Sequence, residues 1–143
     1  MSAIAAIHQF WSGCGALTAL VPADRIYSGV PPLNDENNNP ITRPYVSLLV
    51  ESESDCQRTS SGRQIYREKI KLSVWHDSYD KATEIDAVAR DQLNRRTLKF
   101  DRGTILDIKS MERADTHDSE TLIWQIARGY NCLVDLLPDR ILT

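Results

Sequence analysis

The chain has 143 residues, the length of one ordinary domain, of which 41% are hydrophobic and 26% are charged. These proportions are typical of a folded globular protein and exclude an intrinsically disordered chain. The formal net charge of -3 disfavours a protein that attracts nucleic acid through a broad positive field.

The first apolar stretch and the three cysteines indicate the cellular compartment of the protein. The stretch at residues 3–20 is interrupted by polar residues and glycines and follows no basic region, so we expect neither a signal peptide nor a membrane span. Cys14, Cys56 and Cys132 form no closely spaced pair of the kind that binds zinc or does redox chemistry. A reducing cytoplasm is the simplest setting, although one intramolecular disulfide remains open.

The first half of the chain predicts a helix, a short extended piece and a strand. The helix is predicted to open near Ser2, because apolar residues recur at helical spacing: Ile4, Ile7, Trp11 and Cys14. A brief extended piece is predicted at residues 25–27, and an apolar, β-branched strand at 45–50. Polar composition predicts mobile loops at about 31–44 and 51–63.

The second half predicts a packed helix between strands. Alternation gives a strand one buried face: Tyr66, Ile70, Leu72 and Val74. Asp77 or Ser78 is suited to cap a helix over residues 79–93. A polar turn at 115–119 is predicted between two further strands, the second of which buries one parity: Leu122, Trp124, Ile126, Tyr130, Cys132 and Val134.

This order of elements predicts the fold class. Hairpin-linked strands without strict alternation of strand and helix favour an α+β fold, with an antiparallel or mixed sheet and two main helices packed on one face. No internal repeat or linker divides the sequence, so we expect a single domain over residues 1–143.

No sequence pattern assembles a catalytic, metal or cofactor site. His8, His76 and His117 have no histidine or cysteine partner at ligand spacing. The carboxylates around His117 lack the spacing of a calcium loop, so a solvated hairpin tip is the simpler interpretation. A Cys14 thiolate with a histidine base would make a small cysteine-dependent hydrolase, but a buried cysteine is favoured. We therefore expect no enzyme and no cofactor.

Charges of both signs around the second predicted loop have two interpretations. A solvated, charge-mixed face is the simpler one, and a contact strip for another subunit is the more specific one. The candidate subunit-interface residues are Glu53, Asp55, Arg58, Arg63, Arg67 and Lys69. A nucleic-acid-binding module would instead require a positive face despite the net acidity, together with salt-sensitive binding.

A succession of short motifs runs along the chain: Ala16 to Val21, Arg25-Ile26-Tyr27, Pro31-Pro32, Pro44-Tyr45-Val46, a charged strand ending Leu72-Ser73-Val74-Trp75, and the helix at 79–93. In their order and spacing, these motifs resemble the tail-completion family of long-tailed bacteriophages and prophages. Asp118-Ser119-Glu120-Thr121, leading into a long alternating strand, is similar to the family's closing hairpin. The resemblance spans about residues 17–134, and an Asn-rich insertion between Leu33 and Thr42 departs from it.

The resemblance implies a structural virion-assembly protein with no catalytic residue. It implies a tail-terminator ring, hexameric in the family, that completes the tail tube and joins tail to head. The implied partners are further copies of the chain, the tail tube protein and head–tail connector proteins, with DNA only as passing cargo and no membrane. The implied location is the head-proximal end of the virion tail, after assembly in the bacterial cytoplasm. Another phage neck or connector component is the alternative.

Overall fold

The computed structural model describes residues 2–29, 42–58 and 62–137. Its helices are α1 (Ser2–Gly13), α2 (Gly15–Thr18) and α3 (Tyr79–Leu93). Its strands are β1 (Ile26–Ser28), β2 (Tyr45–Arg58), β3 (Gln64–His76), β4 (Leu98–Phe100), β5 (Gly103–Asp118) and β6 (Ile123–Leu136). Across these ranges, every helix is too short or too polar to cross a bilayer.

The strands form one mixed, curled sheet in the order β1-β2-β3-β6-β5-β4. Only β1 and β2 pair in parallel; the other described pairs are antiparallel. The mixed alternative of the predicted sheet is therefore the correct one. The α1 and α3 helices contribute to one apolar core with the central strands, in keeping with the expected packing of two main helices on one face.

One parity of the two central strands faces these helices. The buried hydrophobic set on β3 and β6 is Tyr66, Ile70, Leu72, Val74, Ile126, Tyr130, Cys132 and Val134. This is the parity that the alternation in the sequence predicted, because successive side chains of a strand point to opposite sides of the sheet. The opposite side carries no described helix, and we call it the helix-free face.

Local chemistry explains where the helices begin and which side they bury. Ser78 is the N-cap of α3, and its Oγ accepts the backbone N–H of Lys81 at 3.3 Å. In α1, Ile7 and Trp11 are fully buried, and the Trp11 indole N–H donates to the Val21 carbonyl at 3.0 Å. Both helices begin where the sequence predicted.

Two predicted boundaries are wrong. Residues 51–58 form the second half of β2 instead of a loop, because their backbone pairs with β3 in a register that places Ser52 opposite Lys69. The polar turn expected at 115–119 is displaced, since β5 continues to Asp118. In both places cross-strand pairing outweighs the low β-propensity of polar residues. Most of the loop expected at 31–44 lies outside the described residues.

The outer strands are only partly covered. β1 pairs with β2 over residues 46–48, and β4 pairs with β5 over residues 103–105. Beyond these short pairings, the outer backbones of β2 and of β5 from Glu112 to Asp118 meet no further described strand. A partner strand can pair with such an edge.

Candidate functional site

The structure places the four candidate interface residues with described side chains in three different surroundings. Glu53 lies on the helix-bearing face, beside Ile4 and opposite the buried Glu68, whose pKa is raised by burial and by a hydrogen bond with Glu53. Arg63 donates to both carboxylate oxygens of Asp135. The side chains of Asp55 and Arg58 lie outside the described part of the chain.

Arg67 and Lys69 belong to a basic row on the helix-free face. The row consists of Arg67, Lys69 and Lys71 on β3 and Lys109 on β5. Lys69 and Lys109 flank Asn131 of β6 from its two sides, so the row crosses three strands. Within the described ranges, none of the four cations forms an ion pair. The charge of the row is therefore available to a partner.

A shallow hollow of about 490 Å³ lies beside this row. Small residues of β5 and β6, Ala114, Ala127 and Gly129, line it together with the side chains of Lys69 and Met111. A Cβ added to Gly129 would lie 3.4 Å from both Lys69 Cε and Met111 Cβ, so these two side chains approach each other over the glycine. We call this feature the sheet hollow.

The sheet hollow combines apolar walls with a charged rim. Lysine stems and Met111 supply methylene and thioether surface, while the ammonium groups remain in solvent. Lys71, Glu51 and Glu112 add charge to the rim, and Arg113, which also lines the hollow, is paired with Asp86 and Asp115. Counted with the basic row and without the paired Arg113, four cations oppose two carboxylates, which leaves an excess of positive charge on a protein whose formal net charge is -3.

The turn between β5 and β6 forms an acidic tip, which we define as residues 118–122. Asp118 Oδ1 accepts the backbone N–H groups of Glu120 at 2.9 Å and of Thr121 at 3.3 Å, and these bonds lower the pKa of the Asp118 carboxyl. Leu122 donates its N–H to the Asp118 carbonyl at 2.8 Å. The turn is thus closed by its own hydrogen bonds.

Leu122 stands out in this turn for two reasons. Its φ is 60°, in the left-handed region that costs an ordinary L-residue roughly 1–2 kcal/mol. Its side chain is 62% exposed, the largest value among the exposed large hydrophobic residues of the described chain. The sequence alternation predicted that Leu122 shares the buried parity, and this prediction was wrong because the residue belongs to the turn.

An aromatic stack holds the tip against the start of α3. The Trp124 ring lies 4.6 Å from the Tyr79 ring and 4.4 Å from the His117 ring, centroid to centroid. The Tyr79 hydroxyl donates to Asp115 Oδ2 at 2.7 Å, and the Arg113 guanidinium donates to the same oxygen at 3.1 Å. The hairpin is therefore fixed to the helix on two sides.

A buried ionic cluster continues this connection inward. Asp86 of α3 is 1% exposed, and Arg128 of β6 donates to both of its carboxylate oxygens at 3.0 and 2.8 Å. The hydrogen bond with Asp86 raises the pKa of Arg128. Arg113 approaches Asp86 at 3.5 Å, and Arg128 also donates to the Met111 carbonyl at 2.8 Å. The cluster fixes the backbone of β5 at the rim of the sheet hollow.

The other end of the helix-free face carries an aromatic strip. Tyr45 stacks on Trp75 with 5.8 Å between ring centroids, and Tyr27 meets Tyr45 edge-on at the same distance. Trp75 Nε1 donates to Ser47 Oγ at 3.2 Å. The rings cover Ser47, so Trp75 has a structural explanation that requires no ligand.

The described thiols Cys14 and Cys132 and the imidazoles of His76 and His117 each have a different environment. Burial raises the pKa of Cys132 to about 12, so this thiol stays protonated near neutral pH. Cys14 Sγ lies 3.7 Å from Gln92 Oε1, His76 Nδ1 accepts the Ser78 N–H at 3.0 Å, and His117 packs on Trp124. Among residues whose side chains are described, no group of His, Cys, Asp and Glu could hold a metal ion.

The structure is that of a small α+β protein, and the features described above that could bind a partner are exposed surfaces. A family model described as "Tail completion protein gp17" matches residues 5–135. Comparison with curated protein sequences gives no match. The chain belongs to the bacteriophage tail-completion family, as its sequence motifs predicted, and a structural role in a phage-type tail follows from that membership.

A solved structure has a similar fold. It is a chain of the "Virion of native gene transfer agent (GTA) particle", with a TM-score of 0.74. The two chains are 22% identical, over 92% of this chain and 93% of that one. At this identity the likeness establishes the shared fold.

Sequence reasoning missed most of the surface features. Lys109 joins the basic row only through strand register, and the space over Gly129 depends on a bulge that shifts β5 near Met111. The alternation on β3 did predict that Arg67, Lys69 and Lys71 share a solvent-facing side. The exposure of Leu122 had a partial signal, because it follows the turn-forming run Asp118 to Thr121.

Proposed function

We propose that this protein is the structural subunit that completes the tail tube at its head-proximal end and allows the tail to join the head. The family match over residues 5–135 carries this proposal. Among the described thiols, Cys14 contacts Gln92 and burial raises the pKa of Cys132, which fits a structural role better than cysteine catalysis, since that chemistry needs a lowered thiol pKa and a nearby base.

The surfaces suit assembly into a ring. A ring of identical subunits requires two different patches on each subunit, because a head-to-tail contact joins unlike surfaces. The helix-free face and the acidic tip are two such patches, and the outer edges of β2 and β5 offer backbone groups to neighbouring chains. Arg67 and Lys69, from the predicted interface set, remain candidates on this basis.

The ring would contact three kinds of partner. Further copies of the chain close it, the tail tube protein lies on one side, and head–tail connector proteins lie on the other. The net charge of -3 makes tight retention of DNA unfavourable, which suits a passage through which DNA moves as cargo. The site of action is the virion tail, after assembly in the host cytoplasm.

Deletion of the coding region from the phage or prophage, followed by electron microscopy of the lysate, tests this function. We expect filled heads and separate tails, with joining restored when the purified wild-type chain is added. A lysate that contains normal, joined particles without the chain would contradict the proposal.

Localisation separates this role from that of another neck component. Gold-labelled antibody against the chain should mark the head-proximal end of isolated, unjoined tails. A label found only on isolated heads would assign the chain to the connector instead.

A further inference from the structure

We infer that the acidic tip of one copy docks into the sheet hollow of a second copy of this chain. The inference rests on the proposed function in one respect: it names the contact that would join neighbouring subunits. It is carried by the matching chemistry of two surfaces at different positions on the same sheet.

The tip presents a fixed apolar side chain among negative charges. Leu122 is held outward by a turn that Asp118 closes with two hydrogen bonds, and Glu120 is exposed next to it. A strained and exposed leucine in an ordered turn is a reason to look for a binding contact. Because hydrogen bonds within the turn already fix its backbone, docking requires little further ordering.

The hollow presents the complementary surface. Its walls of Met111, Ala127 and lysine methylenes suit an aliphatic side chain, and the ammonium groups of Lys69 and Lys71 suit the flanking carboxylates. Glu51 and Glu112 also line the hollow, but the basic row extends past them to Arg67 and Lys109. The excess charge of this region is opposite in sign to that of the tip.

A groove on the other face fits the tip less well. It is lined by Ile4, Leu48 and Val50, but Glu53 lies on it and would repel Asp118 and Glu120. Its apolar lining alone therefore does not favour the acidic tip. The charges of the two candidate sites decide between them.

The contact has to be intermolecular. Ala127 and Gly129 of the hollow are four and six residues from Ile123 on β6, so the hollow and the tip of one chain are separated by roughly 13 to 20 Å along the sheet. Both lie on the same rigid sheet and cannot meet. A contact between the unlike tip and hollow surfaces is head-to-tail, and it generates a ring if the rotation between subunits closes.

Carbodiimide cross-linking tests the contact on the full-length chain. An equal mixture of unlabelled and ¹⁵N-labelled protein is treated both as concentrated free protein and after addition to isolated tails. Carbodiimide joins carboxylates to amines in direct contact, and peptides of mixed isotope composition come from two copies. We expect mixed peptides that join Glu120 to Lys69 or Lys71. Intermolecular links that map only elsewhere, or their absence from both preparations, would overturn the inference.

Exchanging the charges of Glu120 and Lys69, singly and together, tests the same contact. Glu120→Lys and Lys69→Glu should each weaken self-association, or tail binding at equal protein concentration, by about tenfold or more. The chain that carries both exchanges should return to within about threefold of wild type, because the pair is restored with its signs reversed. Failure of the double variant to recover, with all variants folded by circular dichroism, would count against this pairing.

Leu122→Asn separates docking from stability. Asn tolerates a positive φ, so the melting temperature should not fall, while self-association should weaken by about tenfold. The control is Leu106→Asn, which removes another exposed leucine far from the tip and should leave association unchanged. Equal effects of the two substitutions would contradict a specific role for Leu122.

These outcomes distinguish the inference from the proposed function. If Leu122→Asn and Lys69→Glu chains still join tails to heads at wild-type efficiency, the function stands and this contact is wrong. If the basic row instead binds a short DNA duplex in a salt-sensitive manner that Lys69→Glu abolishes, while mixed cross-links are absent, the row serves nucleic acid and the inference fails.

Discussion

Individual residues connect the core of this protein to its surfaces, and Asp86 is the clearest example. Its carboxylate is buried in α3 and is satisfied by the guanidinium of Arg128. Arg113 pairs with Asp86 and also with Asp115 at the hairpin, and it donates a hydrogen bond to the Tyr79 hydroxyl. The side chain that fixes the hairpin is therefore an acidic residue in the middle of an amphipathic helix. The sequence pattern alone assigned no role to it.

Asp86→Asn should destabilise the fold strongly. The substitution leaves the Arg128 guanidinium, whose side chain is 12% exposed, without its counter-charge, and breaking a buried ion pair costs about 3 to 5 kcal/mol. Urea denaturation measures this loss. Asp91→Asn in the same helix is the control, because Asp91 is 71% exposed and its pair with Arg90 spans 3.7 Å. Its cost should be below about 0.5 kcal/mol, and equal costs for the two variants would contradict the buried role of Asp86.

His76 makes the stability depend on pH. Burial lowers the pKa of His76, and its neutral Nδ1 accepts the Ser78 N–H at the start of α3. The unfolded chain, with an ordinary histidine pKa near 6.5, binds the proton more readily, so stability is full above that pKa and is lost as the pH falls through the lower folded pKa. We expect the unfolding free energy to fall between about pH 7 and pH 5 by more in wild type than in His76→Asn. Identical pH dependence in the two chains would exclude this origin.

At the scale of secondary-structure elements, the sequence correctly predicted the helices and strands that bury one regular face. The bounds of α3 and the buried parity of β3 and β6 follow directly from apolar periodicity and from the Ser78 cap. The second half of β2 and the end of β5 were missed, because polar residues there are held in the sheet by backbone pairing. The candidate site was predicted only in part: alternation placed Arg67, Lys69 and Lys71 on one side of β3, whereas strand register brings Lys109 beside them.

The hairpin depends on Trp124 for its connection to α3. The ring lies between Tyr79 and His117 and is half-buried, so Trp124→Ala should cost less than a fully buried tryptophan, about 2 to 3 kcal/mol in unfolding free energy. Trp124→Phe retains an aromatic ring in the stack and should recover at least half of that loss. Guanidinium denaturation of both variants measures the difference, and a loss well under 1 kcal/mol for the alanine variant would mean that the stack contributes little.

At the scale of the whole molecule, an acidic protein displays a positive patch on one face and a negative tip at one end of the sheet. Attraction between these surfaces is screened by salt, since the Debye length falls from about 30 Å at 0.01 M to about 10 Å at 0.1 M. Assembly through them should therefore weaken as salt concentration rises, whereas the apolar contact of Leu122 should persist. Measurements at several salt concentrations therefore separate the contribution of the charges to assembly from that of the apolar contact.

We expect tail joining by the purified chain to decrease steadily as sodium chloride rises from about 0.05 to 0.5 M. The Lys69→Glu, Glu120→Lys double variant should show the same salt dependence as wild type, because the reversed pair is screened equally. Leu122→Asn should lower joining at every salt concentration without altering its slope, because its loss is apolar. Joining efficiency is counted by electron microscopy of mixed heads and tails. A response that is flat in wild type would mean that assembly does not depend on these charges.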